Sequence, residues 1–227
     1  MRLAAMADSM RRVRVARFAL GAMDHVAAVL LPPVMAVVRA QAPRAALIIR
    51  AMDRRELASA LDRGDIDIAL AVLPDAPSTI KRTPLFEERY VSLVSIRHRE
   101  IRNRLTLALF LKYPHLLVTH VGDLKGTVDR LLDERGLKRQ VAMSLPYHLA
   151  VPAMIADTDM IATLSERVAR HWQWPGVRTF PVPIAFPRFR ETMLWHRRND
   201  SDPGHAWLRN LILAASRMLD ESSRSGA

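Results

Sequence analysis

Polar side chains able to orient a small ligand recur in this chain directly after apolar runs. Asp24 follows the run at 15–20 and the short Gly21-Ala22-Met23, Thr119-His120 follow Leu116-Leu117-Val118, and Tyr147-His148 follow the run that ends in Leu145-Pro146. Leu73-Pro74 closes a fourth run through Ile66, Ile68, Leu70 and Val72. A carboxylate, a hydroxyl, an imidazole and a phenol can each give or take a directional hydrogen bond. Ala22, Met23, Leu73, Leu145 and Val182 would supply the apolar contact area that small-molecule sites need. Asp24 can equally do no more than cap its helix, and a lone histidine is as often structural as a ligand. What the spacing lacks is catalysis: no nucleophile beside a base, no paired carboxylates, and no Gly-x-Gly-x-x-Gly, Walker or His-Glu-x-x-His motif, with Ser165-Glu166 and His205 isolated. No metal-ligand spacing occurs, and the absence of cysteine removes disulfides, thiolate metal sites and thiol nucleophiles. The expectation is therefore reversible binding, with no cofactor and no metal.

The elements that must position these residues repeat. From Phe18 the chain reads as strand, helix, strand at 45–51, helix at 54–63 closed by Gly64, and strand at 65–70. From Leu116 the same order returns, with a helix at 128–135, a strand at 141–145, a helix from Tyr147 and a strand at 157–162. Such β-α-β units place helices over parallel strands and collect ligands beyond the strands' carboxyl ends, so two of them would clamp something small in a cleft. Gly21 is expected to allow a tight turn before Asp24. Pro32-Pro33 should split or strongly kink the helix at 26–42. After a Pro-rich loop, the alternating residues 90–95 read as a strand crossing between the units, and 191–197 as another. The helix at 203–219, with Trp207, Leu208, Leu211 and Leu219 on one side, returns to the first unit. The resulting division is a linker-helix remnant at 1–13, subdomain I at 14–93 and 197–220, subdomain II at 94–196, and a disordered tail at 221–227. Trp172 and Trp174 are expected in the core.

In 227 residues with half of them hydrophobic, no run approaches the roughly 20 apolar residues of a membrane span, and 1–10 lacks a secretory leader's apolar centre. A soluble, cytoplasmic protein is expected. The formal charge of +11 comes from basic residues scattered along the chain, with clusters such as Arg11-Arg12, Arg188-Arg190 and Arg197-Arg198 far apart in sequence. Scatter favours a solvated surface over a groove-reading element, so any DNA binding by this chain alone should be weak and without sequence preference.

Trp195-His196-Arg197-Arg198 followed by Asp202-Pro203-Gly204-His205-Ala206-Trp207-Leu208-Arg209, with Asp159-Met160-Ile161-Ala162-Thr163 upstream, resembles the effector-binding domain of LysR-type transcriptional regulators. The resemblance covers nearly the whole chain. Pro32-Pro33 and Pro146-Tyr147 point to the branch of nodulation and aromatic-degradation regulators. It implies an α/β type-2 periplasmic-binding-protein fold, with two Rossmann-like subdomains joined by crossing strands. It also implies a small aromatic or anionic effector in the inter-subdomain cleft, no enzymatic activity, no membrane, and transcriptional control through oligomer rearrangement. The implied assembly is a homodimer, or a tetramer in the full-length protein. In it the helix at 26–42, through Val29, Leu30, Val34, Val37 and Val38, packs beside Val128 and Leu131 of a second copy. The apolar excess of that helix points the same way, although a fully intradomain helix is the alternative. Promoter DNA would be read only through a winged helix-turn-helix, which nothing before Val15 could form, so an excised effector domain is expected over a natural short form. A stand-alone solute-type binding protein, or an enzyme acting on a small aromatic acid, are the competing readings.

Overall fold

The computed structural model describes residues 17–73, 75–120, 122–171 and 174–225. The first lap runs β1 (Arg17–Ala22), α1 (Asp24–Gln41), β2 (Ala46–Arg50), α2 (Arg54–Arg63), β3 (Ile68–Ala71) and β4 (Ile80–Glu88). The second runs β5 (Tyr90–Ser95), α3 (Leu107–Lys112), β6 (His115–Val118), α4 (Thr127–Asp133), β7 (Val141–Leu145), α5 (Val151–Ala156), β8 (Ile161–Ser165), α6 (Glu166–His171) and β9 (Val177–Pro181). β10 (Phe189–His196) and α7 (Pro203–Ser225) complete the chain. The first lap together with β10 makes one five-stranded sheet, in the order β2-β1-β3-β10-β4, and the second lap makes another, in the order β7-β6-β8-β5-β9. β1 is parallel to β2 and β3, and β6 to β7 and β8, as helical crossovers require.

The chain divides into unit 1, residues 1–87 with 190–227, and unit 2, residues 88–189. The crossings thus fall at 87/88 and 189/190, not at 93/94 and 196/197 as the sequence reading had them. Hydrogen bonding decides this. All of β5 is committed to β8 and β9, while Thr192 to Trp195 of β10 pair with β3. Tyr90–Ser95 is therefore not a crossing strand. β4, whose first half falls where the sequence predicts a Pro-rich loop, carries the chain to its first crossing. The expected tail is helical, since α7 continues to Ser225. The expected linker helix, the start of the first strand, Pro74 and Trp172 lie outside the described residues, and Trp174 is half-buried.

In unit 1 the alternation of β1, β3 and β10 sends Phe18, Leu20, Ile68, Leu70, Met193 and Trp195 to one face. There they meet Val26, Leu30, Val34 and Val38 of α1 and Leu208, Ile212 and Ala215 of α7. The other face takes Leu57, Ala60 and Leu61 of α2. α2 follows its sequence closely: Asp53 accepts from the Arg55 amide at its start, and Gly64 closes it at φ 78°. Gly21, by contrast, lies within β1 and makes no turn. A Cβ there would come 2.7 Å from Ile66 Cδ1 and 2.8 Å from Leu57 Cδ2, so its missing side chain is what admits α2 to the sheet.

α1 is one unbroken helix through Pro32 and Pro33, not two pieces. An interior proline costs about 3 kcal/mol, and burial of aliphatic side chains on both sides of the pair, about 1.5–3 kcal/mol each, offsets it. That burial also corrects the expected dimer surface. Val29, Leu30, Val34 and Val38 are 0–5% exposed in this chain, the last three within the core of unit 1, and so do not line a contact with another chain. α7 covers the apolar excess, with Trp207 Nε1 donating to Gln41 Oε1 at 3.1 Å and Ser216 Oγ to the Leu85 carbonyl at 2.8 Å. Val128 is likewise buried in the core of unit 2, leaving Val37 and Leu131 half-exposed.

Unit 2 packs Val94, Ile101, Leu105, Phe110, Val128, Leu132, Ile161 and Phe180 into its core. A buried polar network fixes α4 beside it. The Asp129 carboxylate accepts from the Gly126 amide at 2.7 Å and from Arg139 Nε and Nη2 at 2.8 and 2.9 Å. Arg139 Nη1 donates to His115 Nδ1 at 3.1 Å, and His115 Nε2–H donates to the Phe110 carbonyl at 2.6 Å. Burial, with the Arg139 charge, pushes the His115 imidazole down to about 4.

Candidate functional site

At the carboxyl end of β1 in unit 1, Ala22 is buried in the core, so only its backbone can meet a ligand. Met23 is the extended joint that N-caps α1 without a side-chain hydrogen bond. Asp24 opens the helix, its carboxylate accepting from the His25 amide at 2.9 Å. Leu73 follows β3, the neighbouring strand, and is half-buried against the core under α2. β10 runs antiparallel to β3, so its early residue Glu191 arrives at this same end. Glu191 Oε1 lies 3.6 Å from His25 Nε2, and both side chains are almost fully buried. Glu191 Oε2 has no hydrogen-bond partner among the described residues.

In unit 2 the parallel pairing of β6 and β7 sets Val118 beside Leu145 and lets the Thr119 amide donate to the Leu145 carbonyl at 3.0 Å. Thr119 Oγ1 donates to Asp123 Oδ1 at 3.2 Å. His120 is half-buried, and its Nε2 has no partner among the described residues. Leu145 is buried, His148 begins a half-buried 3-10 turn, and Tyr147 is 61% exposed, which makes it the least enclosed of the group. Val182 follows β9, which is parallel to β8, and so reaches the same end of the sheet. It stands three strands away from β6 and packs against the core. Four candidates thus gather at one end of unit 1's sheet and five at one end of unit 2's, with Val182 apart from the five.

Several polar and aromatic groups at that end of unit 2 escaped the sequence reading. Glu88 is 5% exposed and accepts from Ser165 Oγ at 2.7 Å and from the Arg89 amide at 2.9 Å, with Arg167 Nε 3.8 Å away. Burial pushes its carboxyl up, against those hydrogen bonds and the Arg167 charge. Beside it Arg89 holds Glu166 through Nε and Nη2, at 2.5 and 2.7 Å. Burial would raise the Glu166 carboxyl, but this pairing outweighs it and holds the group below its usual range. Tyr90 packs its ring 4.5 Å from that of Phe186 and 4.7 Å from that of Phe189. The one signal in the sequence was the pair of dipeptides Glu88-Arg89 and Ser165-Glu166, complementary but 77 residues apart.

Residues 11–217 match the family model described as the LysR substrate binding domain. The HTH-type transcriptional activator NagR of a Ralstonia species is 29% identical over 184 residues, 81% of this chain and 61% of that protein. Nodulation protein D 2 of Bradyrhizobium diazoefficiens is 32% identical over 212 residues, 89% of this chain and 62% of that protein. The chain therefore spans about three fifths of the length of these curated relatives. Among solved structures, the regulatory domain of MexT, a transcriptional activator in Pseudomonas aeruginosa, superposes with a TM-score of 0.79 at 30% identity, covering 88% of this chain and 98% of that one.

Proposed function

Because the chain belongs to the LysR substrate binding domain family, whose members are regulator domains and not enzymes, we propose that it senses a small aromatic effector in the cytoplasm and passes that signal to transcription. The residues proposed to contact the effector are those at the strand ends of each unit, Ala22, Met23, Asp24 and Leu73 in unit 1 and Thr119, His120, Leu145, Tyr147, His148 and Val182 in unit 2. The observation that carries this reading is made in each unit by itself: a buried polar atom without a hydrogen-bond partner among the described residues, Glu191 Oε2 in unit 1 and His120 Nε2 in unit 2, lies at the strands' carboxyl ends, the place where ligands of such sheets bind. The Tyr90, Phe186 and Phe189 rings at the same end of unit 2 favour an aromatic guest. Binding acts by differential affinity for two arrangements of an assembly of copies. Self-association uses apolar surface that the fold leaves open: Ile48 and Ile49 on the edge strand β2, 44% and 41% exposed, with Val37 and Leu131. In a full-length regulator of this family the proposed assembly is a tetramer that reads promoter DNA through a winged helix-turn-helix; the HTH-type name of the relative NagR supports the DNA-reading part.

A thermal-shift screen of aromatic acids, phenols and flavonoids tests this, because a ligand of the native state alone raises its melting temperature. The expected result is a saturable shift with the compound recovered unchanged. Stabilisation by sugars or amino acids but by no aromatic would overturn the effector class, and turnover of the compound would overturn the regulatory reading.

A further inference from the structure

Two hydroxyls inside unit 2 lack what buried hydroxyls normally have. Ser92 of β5 is fully buried and Thr163 of β8 half-buried, and neither hydroxyl oxygen has a hydrogen-bond partner among the described residues. Unsatisfied buried polar groups are uncommon because each forfeits its hydration without replacement. The two are not independent. They stand directly opposite one another in the antiparallel pairing of β5 and β8, so their side chains share a face with Cβ atoms about 4.5–5.5 Å apart. One small group can therefore reach both.

The neighbours on that face narrow what the group is. Two residues along each strand toward the core stand Val94 and Ile161, which offer no hydrogen bond. Two residues the other way stand Tyr90 and Ser165, again opposite each other. Ser165 is committed to Glu88, and Tyr90 belongs to the cluster of three rings. A carboxylate is poorly suited to this place. Glu88 already holds a buried acidic group there, and the cations beside it are engaged, Arg167 with Glu88, and Arg89 and Arg170 with Glu166. An uncharged oxygen that both gives and takes a hydrogen bond fits. A phenolic hydroxyl donates to one of the two side chains and accepts from the other, and its ring extends toward Tyr90 and Phe186.

We infer that Ser92 and Thr163 form the specificity-determining pair of unit 2, selecting aromatic effectors by an uncharged hydroxyl. This rests on the effector-binding reading above and adds the group that is recognised and the residues that recognise it. The test uses the full chain, the double variant Ser92→Ala with Thr163→Val, and three probes of one ring system: 2-naphthol, 2-methylnaphthalene and 2-naphthoate. Calorimetry should give 2-naphthol an affinity about tenfold or more above the other two in the wild type, the worth of two net hydrogen bonds. The double variant should lower 2-naphthol to the level of 2-methylnaphthalene and leave 2-methylnaphthalene unchanged. Without ligand its melting temperature should hold or rise, because the hydroxyls removed have no partners to lose. A preference for 2-naphthol retained in the double variant overturns the inference and leaves the pair as the seat of a buried water. Tighter binding of 2-naphthoate than of 2-naphthol overturns it as well, and so does a lower ligand-free melting temperature, which would mark the pair as structural. These results leave the aromatic-effector reading standing, whereas a wild type that binds none of the three probes overturns both.

Discussion

His115 is held in one protonation state by its surroundings, and replacing it tests that directly. Its Nε2–H donates to the Phe110 carbonyl and its Nδ1 accepts from Arg139, so the neutral ring satisfies both neighbours while a second proton would face a guanidinium. The imidazole titrates near 6.5 in the unfolded chain and near 4 when folded. Between those values the unfolded state binds the extra proton and the folded state does not, so stability is complete above about pH 6.5 and falls as pH drops toward 4. Over the interval from pH 7.5 to 4.5 the loss comes to about 2.5 kcal/mol for this one group. His115→Leu removes the titration, although it also costs the two hydrogen bonds and lowers stability at neutral pH. The assay is urea unfolding of wild type and variant at both pH values, taking the difference between the two proteins so that other titrating groups cancel. That difference should shrink by about 2.5 kcal/mol from pH 7.5 to pH 4.5. A difference of the same size at both pH values would refute the neutral, desolvated imidazole.

Val34→Glu should abolish cooperative thermal unfolding and not merely dissociate a dimer, because Val34 is 1% exposed within the core of unit 1. Ile49→Glu, on the open edge strand, should keep a wild-type melting curve while light scattering reports a smaller particle. Asp129→Ala should cost about 3–5 kcal/mol in denaturant titration, since it strands the Arg139 guanidinium, whose side chain is 1% exposed. Gly64→Ala should cost about 1–2 kcal/mol by the same measurement. Its φ of 78° strains a Cβ, which would also press on the Arg198 Nη2 that caps α2.

What the sequence disclosed tracks how local each signal was. α2 at 54–63 with its closing Gly64, and β7 at 141–145, were legible because a helix-ending glycine, leucine spacing and a short apolar run act within a few positions. The two α/β units were legible because the β-α-β order occurs twice, and the type-2 periplasmic-binding-protein fold came only through the family resemblance carried by Trp195-His196-Arg197-Arg198 and the residues that follow. β4 was half missed, since Lys81-Arg82 and Pro84 break the look of an edge strand that only β10 can pair. The burial of α1 was misread for a long-range reason. Nothing near residues 26–42 announces that α7, more than 160 residues later, covers their second side. The candidate site shows the same division. Strand ends placed the candidates at one end of each sheet, but Glu191 with His25, Glu88 with Ser165, and Ser92 with Thr163 exist only once distant strands are registered.

The strand order of unit 1 also dictates when that unit can be finished during synthesis. β10 stands between β3 and β4, yet it is made only after every residue of unit 2. As the chain leaves the ribosome, β2, β1 and β3 can pair at once, while β4 has no strand to join and the far side of β3 stays bare. Unit 2 is one uninterrupted segment and can close in the meantime. Insertion of β10, followed by the docking of α7 over α1, is then the last act of assembly. Until it happens a nascent chain carries an unpaired strand edge and an uncovered apolar helix, which are the features by which incomplete chains aggregate.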